Sequence, residues 1–132
     1  MIGLDTNVLV RYLAQDDARQ SAIASRLIEN TLTEDVPGFV SAIVLVETVW
    51  VMEDLYDAER GRVATIVEGL LRARTVIVED AEIAWRAVEI FRGGRADFAD
   101  CMIRAFATSA GSEIVYTFDK VAARDAGMTL LS

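Results

Sequence analysis

Acidic residues stand where a packed chain has least use for them, and the chain contains no histidine. Asp5 ends the apolar stretch Met1-Ile2-Gly3-Leu4, and Glu47 interrupts an apolar run from Ala42 to Met52. Asp97 and Asp100 open a helical-looking segment, and Asp119 follows Ile114-Val115-Tyr116-Thr117-Phe118. Carboxylates are almost never fully buried unless something pairs with them. An acid that recurs at the ends of apolar elements therefore asks for a partner, and a divalent cation is the obvious one. The missing histidine removes Ser-His and Cys-His nucleophile pairs, imidazole acid/base work and the common zinc sites. Oxygen-only chemistry remains, which suits Mg²⁺ or Mn²⁺.

Each acid also has a structural reading. Asp5 precedes Thr6-Asn7 at a strand-to-helix turn, where an aspartate caps orphan backbone N–H groups. Thr6 and Asn7 could cap equally well. Glu47 lies among Val44, Leu45, Val46, Val49, Trp50 and Val51. A helix apolar all round is a buried helix, so Glu47 is expected to be buried and paired, with an arginine or a metal. Asp97 as N-cap with Asp100 three residues later is a variant of the capping box, and both suit the positive end of a helix. Arg104, four residues beyond Asp100, is either its salt-bridge partner or a phosphate contact. Asp119 is again a possible cap, with Thr117 a second oxygen at the same strand end. Each structural reading is respectable alone. Together they are strained, because one crevice would host several incidental acids.

The elements that must position these residues follow from periodicity and breakers. Short strands are expected at Met1–Leu4, Phe39–Val40, Thr75–Val78, Glu113–Thr117 and Thr129–Leu131. Helices are expected at Asn7–Leu13, from Asp16 to about Asn30, from a Ser41 cap to about Tyr56, and at Glu59–Leu71. Further helices are expected at Asp80–Phe91, closed by Gly93-Gly94, at Asp97–Ser109, stopped by Gly111, and at Asp119–Ala126, stopped by Gly127. Alternating strands and helices imply an α/β fold with a mainly parallel sheet, which binds ligands beyond the carboxyl ends of its strands. Asp5 and Asp119 fall at such ends.

Bulk properties bound the rest. A chain of 132 residues reads as one domain, and 53% hydrophobic content supports a compact core. No apolar stretch reaches the roughly 18 residues that span a membrane. Asp5 and the lack of a basic flank argue against an export signal. The single cysteine, Cys101, cannot form an internal disulfide, so a reduced cytoplasmic compartment is expected. The net charge of −8 argues against a passive, charge-driven grip on nucleic acid without excluding a nucleic-acid enzyme. The cations are twelve arginines and one lysine, Lys120. Arginine forks suit phosphate, though most of these read as ordinary surface charge.

Four pieces in order resemble a PIN domain, and more narrowly the VapC-type toxin ribonucleases of toxin–antitoxin pairs. They are Gly3-Leu4-Asp5-Thr6-Asn7-Val8-Leu9, Ser41-Ala42-Ile43-Val44-Leu45-Val46-Glu47, Ala96-Asp97-Phe98-Ala99-Asp100-Cys101-Met102-Ile103-Arg104-Ala105, and Val115-Tyr116-Thr117-Phe118-Asp119-Lys120. The resemblance spans nearly the whole chain and implies a single domain over residues 1–132. It implies a three-layer α/β/α fold around a mainly parallel sheet of about five strands. It implies metal ligands at Asp5, Glu47, Asp100 and Asp119, with Asp97 in a less defined role, and support from Thr6, Asn7 and Thr117. Cys101 stands where relatives more often have alanine and reads as a small packed residue.

The activity so implied is Mg²⁺- or Mn²⁺-dependent hydrolysis of RNA by in-line attack of a metal-activated hydroxide, leaving a 5′-phosphate and a 3′-hydroxyl. The implied partners are an RNA substrate (tRNA, rRNA or mRNA), a cognate antitoxin covering the site, and a second copy of the chain. Apolar faces on the helices from Asp16 to Asn30 and from Glu59 to Leu71 are the expected dimer contacts. Two other classes compete. A receiver-like phosphoacceptor domain needs an acidic pair after the first strand, where Asp5 stands alone. A PIN fold that binds RNA or protein without catalysis would not need the full acid set.

Overall fold

Short β-rich stretches punctuated by Gly, Pro and Asp make strands of two or three residues here, and amphipathic stretches make the helices between them. The computed structural model describes residues 1–132. In chain order the elements are β1 (Ile2–Gly3), α1 (Thr6–Ala14), α2 (Ala18–Arg26), β2 (Gly38–Val40), α3 (Ala42–Tyr56) and α4 (Arg60–Arg72). These are followed by β3 (Val76–Val78), α5 (Ala81–Arg92), α6 (Phe98–Ser109), β4 (Tyr116–Thr117), α7 (Lys120–Asp125) and β5 (Thr129–Leu130). Every expected strand and helix is present. All strand pairings are parallel, hydrogen-bonded as a three-stranded sheet ordered β1-β2-β3 and a two-stranded ladder β4-β5. The fold is α/β, as expected.

The chain forms two compact units, Met1–Glu79 and Asp80–Ser132. In the first, Gly3 pairs with Phe39 and Phe39 with Ile77. Gly38 is the close-approach residue of β2. A Cβ there would lie 2.8 Å from Leu32 Cδ1 and 2.9 Å from Leu4 Cδ1. α1 packs on α2 and α3, and α4 packs on α3 and β3. The core includes Leu9, Val40, Leu45, Val63 and Val67, all fully buried.

Three expectations about the helices need correction. The helix from Asp16 to Asn30 divides: after Arg26 the backbone widens into a π-helical turn, Leu27–Thr31, which ends where Leu32 becomes buried. The apolar face of α4 is no dimer surface, because Val63, Ile66, Val67 and Leu70 fill the core of their own unit. α2 does leave Ile23 exposed. Finally, α3 is not buried all round. Ile43 is 72% and Trp50 62% exposed, while Leu45, Thr48, Val49 and Met52 face inward. Its apolar character is a buried stripe plus an exposed apolar stripe, which composition alone cannot separate.

In the second unit α5 and α6 pack together. Phe91 and Phe98 meet edge to face, with ring centroids 5.7 Å apart and planes at 83°, so the first turn of α6 is pinned to the last turn of α5. Cys101 is buried with no disulfide, a packed residue as expected. α7 contacts both β4 and β5. Gly111 and Gly127 take positive φ, 92° and 69°, and stop α6 and α7 where the sequence places them. No helix is long and apolar enough to cross a membrane.

Candidate metal centre

Because β1, β2 and β3 are parallel, their carboxyl ends lie along one edge. One step beyond Leu4, Val40 and Val78 come Asp5, Ser41 and Glu79, level by register. Two of these three are engaged with α3. Ser41 Oγ accepts from the Val44 N–H at 3.1 Å, and Glu79 Oε1 accepts from the Ala42 N–H at 2.9 Å. Asp5 is different. It occupies the N-cap position of α1 with ordinary extended geometry (φ −82°, ψ 159°), yet its side chain makes no capping bond. The cap reading for Asp5 is thereby excluded, and its exposed carboxylate is left with both oxygens available.

Glu47 departs from expectation more sharply. It is exposed, with no arginine paired to it. Its neighbours one turn away, Ile43 and Trp50, are exposed as well, so all three share the outward stripe of α3. The buried-helix argument misplaces this residue, and no burial penalty calls for a partner. The residue beside it is the buried one. Thr48 is fully buried and its hydroxyl has no hydrogen-bond partner, and the same is true of Thr6 Oγ1 beside Asp5. An orphaned buried hydroxyl costs about 1–3 kcal/mol and is a natural place for an ordered water. Asn7 is exposed.

The second unit gathers its acids. Asp97 is the N-cap residue of α6, again with good geometry (φ −61°, ψ 148°) and again without a capping bond. Asp100 lies in the first turn of the same helix and is half-buried. Burial first, and then the negative charges of Asp97 and Asp119, push the Asp100 carboxyl above the ordinary carboxylate range. Asp97 and Asp119 thus each act on Asp100 through their charge. Asp119 does cap: its Oδ1 accepts from Val121 N–H at 2.8 Å and Ala122 N–H at 3.0 Å. The Asp119 N–H in turn donates to Thr117 Oγ1 at 3.0 Å. One oxygen of Asp119 is thereby fixed, and Oδ2 remains for another ligand.

Arg104 is not the partner of Asp100. Its Nε donates to the Gly127 carbonyl at 3.0 Å and its Nη1 to Thr108 Oγ1. The missing side chain of Gly127 leaves room for that contact, since a Cβ there would approach Arg104 Nε to 3.2 Å. Asp100 is left facing like charge without a counter-cation.

No group of three or more Asp, Glu or Cys side chains is placed to hold a metal ion together. A hydrated cation such as Mg²⁺ takes only one or two protein carboxylates. All-oxygen donors, uncommitted carboxylates and a mutually repelling acid group fit such an ion. Two residues escaped the sequence reading. Glu79 is an acid at a strand end like Asp5, and the pattern that singled out Asp5 would have found it. Thr48 was legible only as an interruption of an apolar run.

A PIN domain family model matches residues 2–127 of the chain. The chain is also similar to a VapC ribonuclease of Aquifex aeolicus (strain VF5). The two are 26% identical over 117 residues, covering 89% of this chain and 86% of that protein.

Proposed function

The chain belongs to the PIN domain family, and on that premise we propose that it is a toxin-type endoribonuclease that hydrolyses RNA phosphodiester bonds with Mg²⁺ or Mn²⁺. The observation that carries this reading is the pairing of Asp97 and Asp100 in the first turn of α6, neither tied down by a capping bond, with Asp100 pushed up by burial and by the charges of Asp97 and Asp119. Such a group is destabilised until a cation neutralises it. The similarity to a VapC ribonuclease supports RNA as the substrate class.

The proposed ligands are Asp5 and Glu47 of the first unit and Asp100 and Asp119 of the second, with Asp97 in a less defined role. A divalent cation, when bound, would supply an activated water and neutralise charge at the scissile phosphate. The chain's own residues do the positioning. The N–H groups of Val121 and Ala122 hold Asp119 Oδ1, and Thr117 holds its backbone, so Asp119 Oδ2 is presented in one direction. Asp100, partly buried in the first turn of α6, would gain a counter-charge from such an ion. Asp5, free of capping duty, presents both oxygens. Thr6 and Asn7 support the pocket beside Asp5.

In this reading residues 1–132 work as a single PIN-like domain in the cytoplasm, held in check by a cognate antitoxin. Homodimerisation would use the exposed apolar residue of α2, Ile23, rather than α4, whose apolar face is in the core. The test is incubation of the purified chain with total RNA and a tRNA pool, in Mg²⁺, in Mn²⁺ and in EDTA, beside Asp5→Asn and Asp100→Asn. Metal-dependent cleavage that vanishes in both variants and leaves 5′-phosphate ends is expected. Cyclic-phosphate ends that persist in EDTA would overturn it. Absence of both cleavage and calorimetric metal binding would make the chain a non-catalytic binding domain.

A further inference from the structure

One guanidinium of the second unit passes over the acid that the sequence offers it. Arg104 stands four residues beyond Asp100 on α6, yet its side chain turns toward the C-terminal end of that helix. Its Nε donates to the Gly127 carbonyl at 3.0 Å and its Nη1 to Thr108 Oγ1. Thr108 Oγ1 in turn donates to the Arg104 carbonyl at 2.9 Å, so its proton is committed and a lone pair meets the guanidinium. Both acceptors are neutral, and no carboxylate lies within ion-pair distance of Arg104. Arg104 and Thr108 line an open recess of about 460 Å³, together with Arg86 of α5 and with Asp125 and Gly127 at the end of α7. Arg86 is exposed and makes no ion pair either, although Glu82 and Glu89 stand one turn away on the same helix. Asp125, the one acid of the lining, is already engaged. It pairs with Arg124 at 2.9 Å and accepts from the Arg95 N–H at 2.8 Å.

We propose that this recess binds a phosphate group between the guanidinium groups of Arg86 and Arg104. Two arginines with unmatched charge on one concavity repel each other until an anion joins them. Phosphate suits the pair better than a carboxylate does. Its several oxygens can receive two forks at once, whereas the two oxygens of a carboxylate are filled by one. Arg104 is the anchor. Two of its donors are fixed by neutral acceptors, so its plane is set before the anion arrives and little ordering cost remains. Its Nη2 makes no hydrogen bond and is left for the ligand. Arg86 reaches the anion from α5. The recess is distinct from the proposed metal centre, since none of Asp97, Asp100 and Asp119 lines it. Arg104 nevertheless follows Asp100 by only about 6 Å along the helix axis, four residues at about 1.5 Å each. Two sources carry this chemistry: a backbone phosphate of an RNA chain, and a free phosphate. The site does not depend on the ribonuclease reading; the first source alone does.

Titration of the ¹⁵N-labelled, metal-free protein with inorganic phosphate, against sodium chloride of equal ionic strength, tests the site. Saturable shifts of the Arg104 Nε and Gly127 amide signals are expected with phosphate and not with chloride. Arg86→Gln is expected to weaken phosphate binding roughly 10- to 100-fold, the range for a lost charged hydrogen bond. Thr108→Val leaves the net charge as it is and loosens Arg104, so a loss of roughly 2- to 10-fold is expected. Arg19→Gln, at an exposed arginine of the first unit, is expected to change nothing. Equal shifts with chloride, or an equal loss in Arg19→Gln, would overturn the site, because the response would then be screening of overall charge. Unchanged affinity in Arg86→Gln would overturn it as well. Binding of a short single-stranded RNA across a salt series, again without metal, separates the two sources. If the RNA backbone occupies the recess, Arg86→Gln should lower the slope of log K against log salt by about 0.7, the share of one phosphate. A slope equal to the parent's, with inorganic phosphate bound by the parent and lost in the variant, assigns the site to free phosphate. Phosphate binding with this variant pattern in a protein that neither binds nor cuts RNA would sink the ribonuclease reading and leave the site standing.

Discussion

Two strand-to-helix junctions, β1 into α1 and β4 into α7, place an aspartate in the same position and use it differently. At the second, Asp119 closes the first turn of α7 with two hydrogen bonds from Oδ1. At the first, Asp5 has the backbone of an N-cap and makes no such bond. Asp97 at the head of α6 behaves as Asp5 does. Elsewhere capping is mixed: Asp17 accepts from Gln20 N–H and Ser41 from Val44 N–H, while Glu59 at the head of α4 and Asp80 at the head of α5 make no side-chain capping bond. Position and residue type therefore do not decide whether an acid is structural. An unused N-cap is a mark that Asp5 and Asp97 share with Glu59 and Asp80, and at Asp119 the cap takes Oδ1 alone and leaves Oδ2 uncommitted.

The largest effect should come from removing charge without removing shape. Asp5→Asn, Asp100→Asn and Asp119→Asn are each expected to lower RNA cleavage in Mg²⁺ by roughly 10²- to 10³-fold, the scale of losing one electrostatic contact at a reacting centre. Initial rates on a defined RNA check this. If Asp119→Asn kept full activity, capping would be its whole role, and the contrast between the junctions would be structural use against chemical use.

Asp97 gives the next effect. It neither caps nor pairs, and it raises the pKa of Asp100. Asp97→Asn is expected to weaken Mn²⁺ binding by about 10- to 100-fold, the usual cost of disturbing a group that supports a ligand. Calorimetry with Mn²⁺ reads it directly. Unchanged affinity would return Asp97 to the status of an incidental surface acid.

The two junctions should separate most cleanly in stability. Asp119→Ala removes two hydrogen bonds at the start of α7 and should cost about 1 kcal/mol, while Asp119→Asn, whose amide oxygen caps as well, should cost little. Asp5→Ala removes no hydrogen bond and should be near neutral. Urea unfolding of the three variants makes the comparison, and a loss at Asp5 as large as at Asp119 would erase the distinction.

These contrasts mark where sequence stops. The element order was legible because Gly, Pro and Asp punctuate apolar runs, and the α/β class followed from it. That Ser41 caps α3 and that Gly111 and Gly127 end helices was legible too, since those roles depend on local backbone chemistry. Whether Asp5 or Asp97 caps was not, because a side-chain rotamer decides it and several rotamers suit the same residue. Glu47 shows a different limit. An apolar run around a helix predicts burial, but a helix can carry one apolar stripe into the core and another into solvent, and only the tertiary packing of α3 on α1 and α4 separates them. Arg104 shows a third: the i+4 spacing to Asp100 suggested a pair, but the distant Gly127 carbonyl took the guanidinium.

The smallest effect tests the acid group itself, through the pH dependence of folding. Asp100 has a folded pKa above its unfolded value, chiefly from burial and then from Asp97 and Asp119. Such a group stabilises the fold fully below the ordinary carboxylate pKa, where it is protonated in both states. That contribution is lost as pH rises through the elevated folded pKa, and at neutral pH the ionised Asp100 is a net cost. Asp100→Asn should therefore raise the Tm of the metal-free protein at pH 7 by about 1–3 °C, a modest shift because the group is partly solvated. The advantage should shrink towards zero as the pH falls below the ordinary carboxylate range. Mg²⁺ should then raise the Tm of the parent more than that of the variant, because only the parent gains a counter-charge at that position. A variant less stable than the parent at pH 7 without metal would mean that the fold already neutralises Asp100. The second unit would then carry no unmet charge for a cation to satisfy, and the contrast between capping and uncommitted acids would lose its chemical meaning.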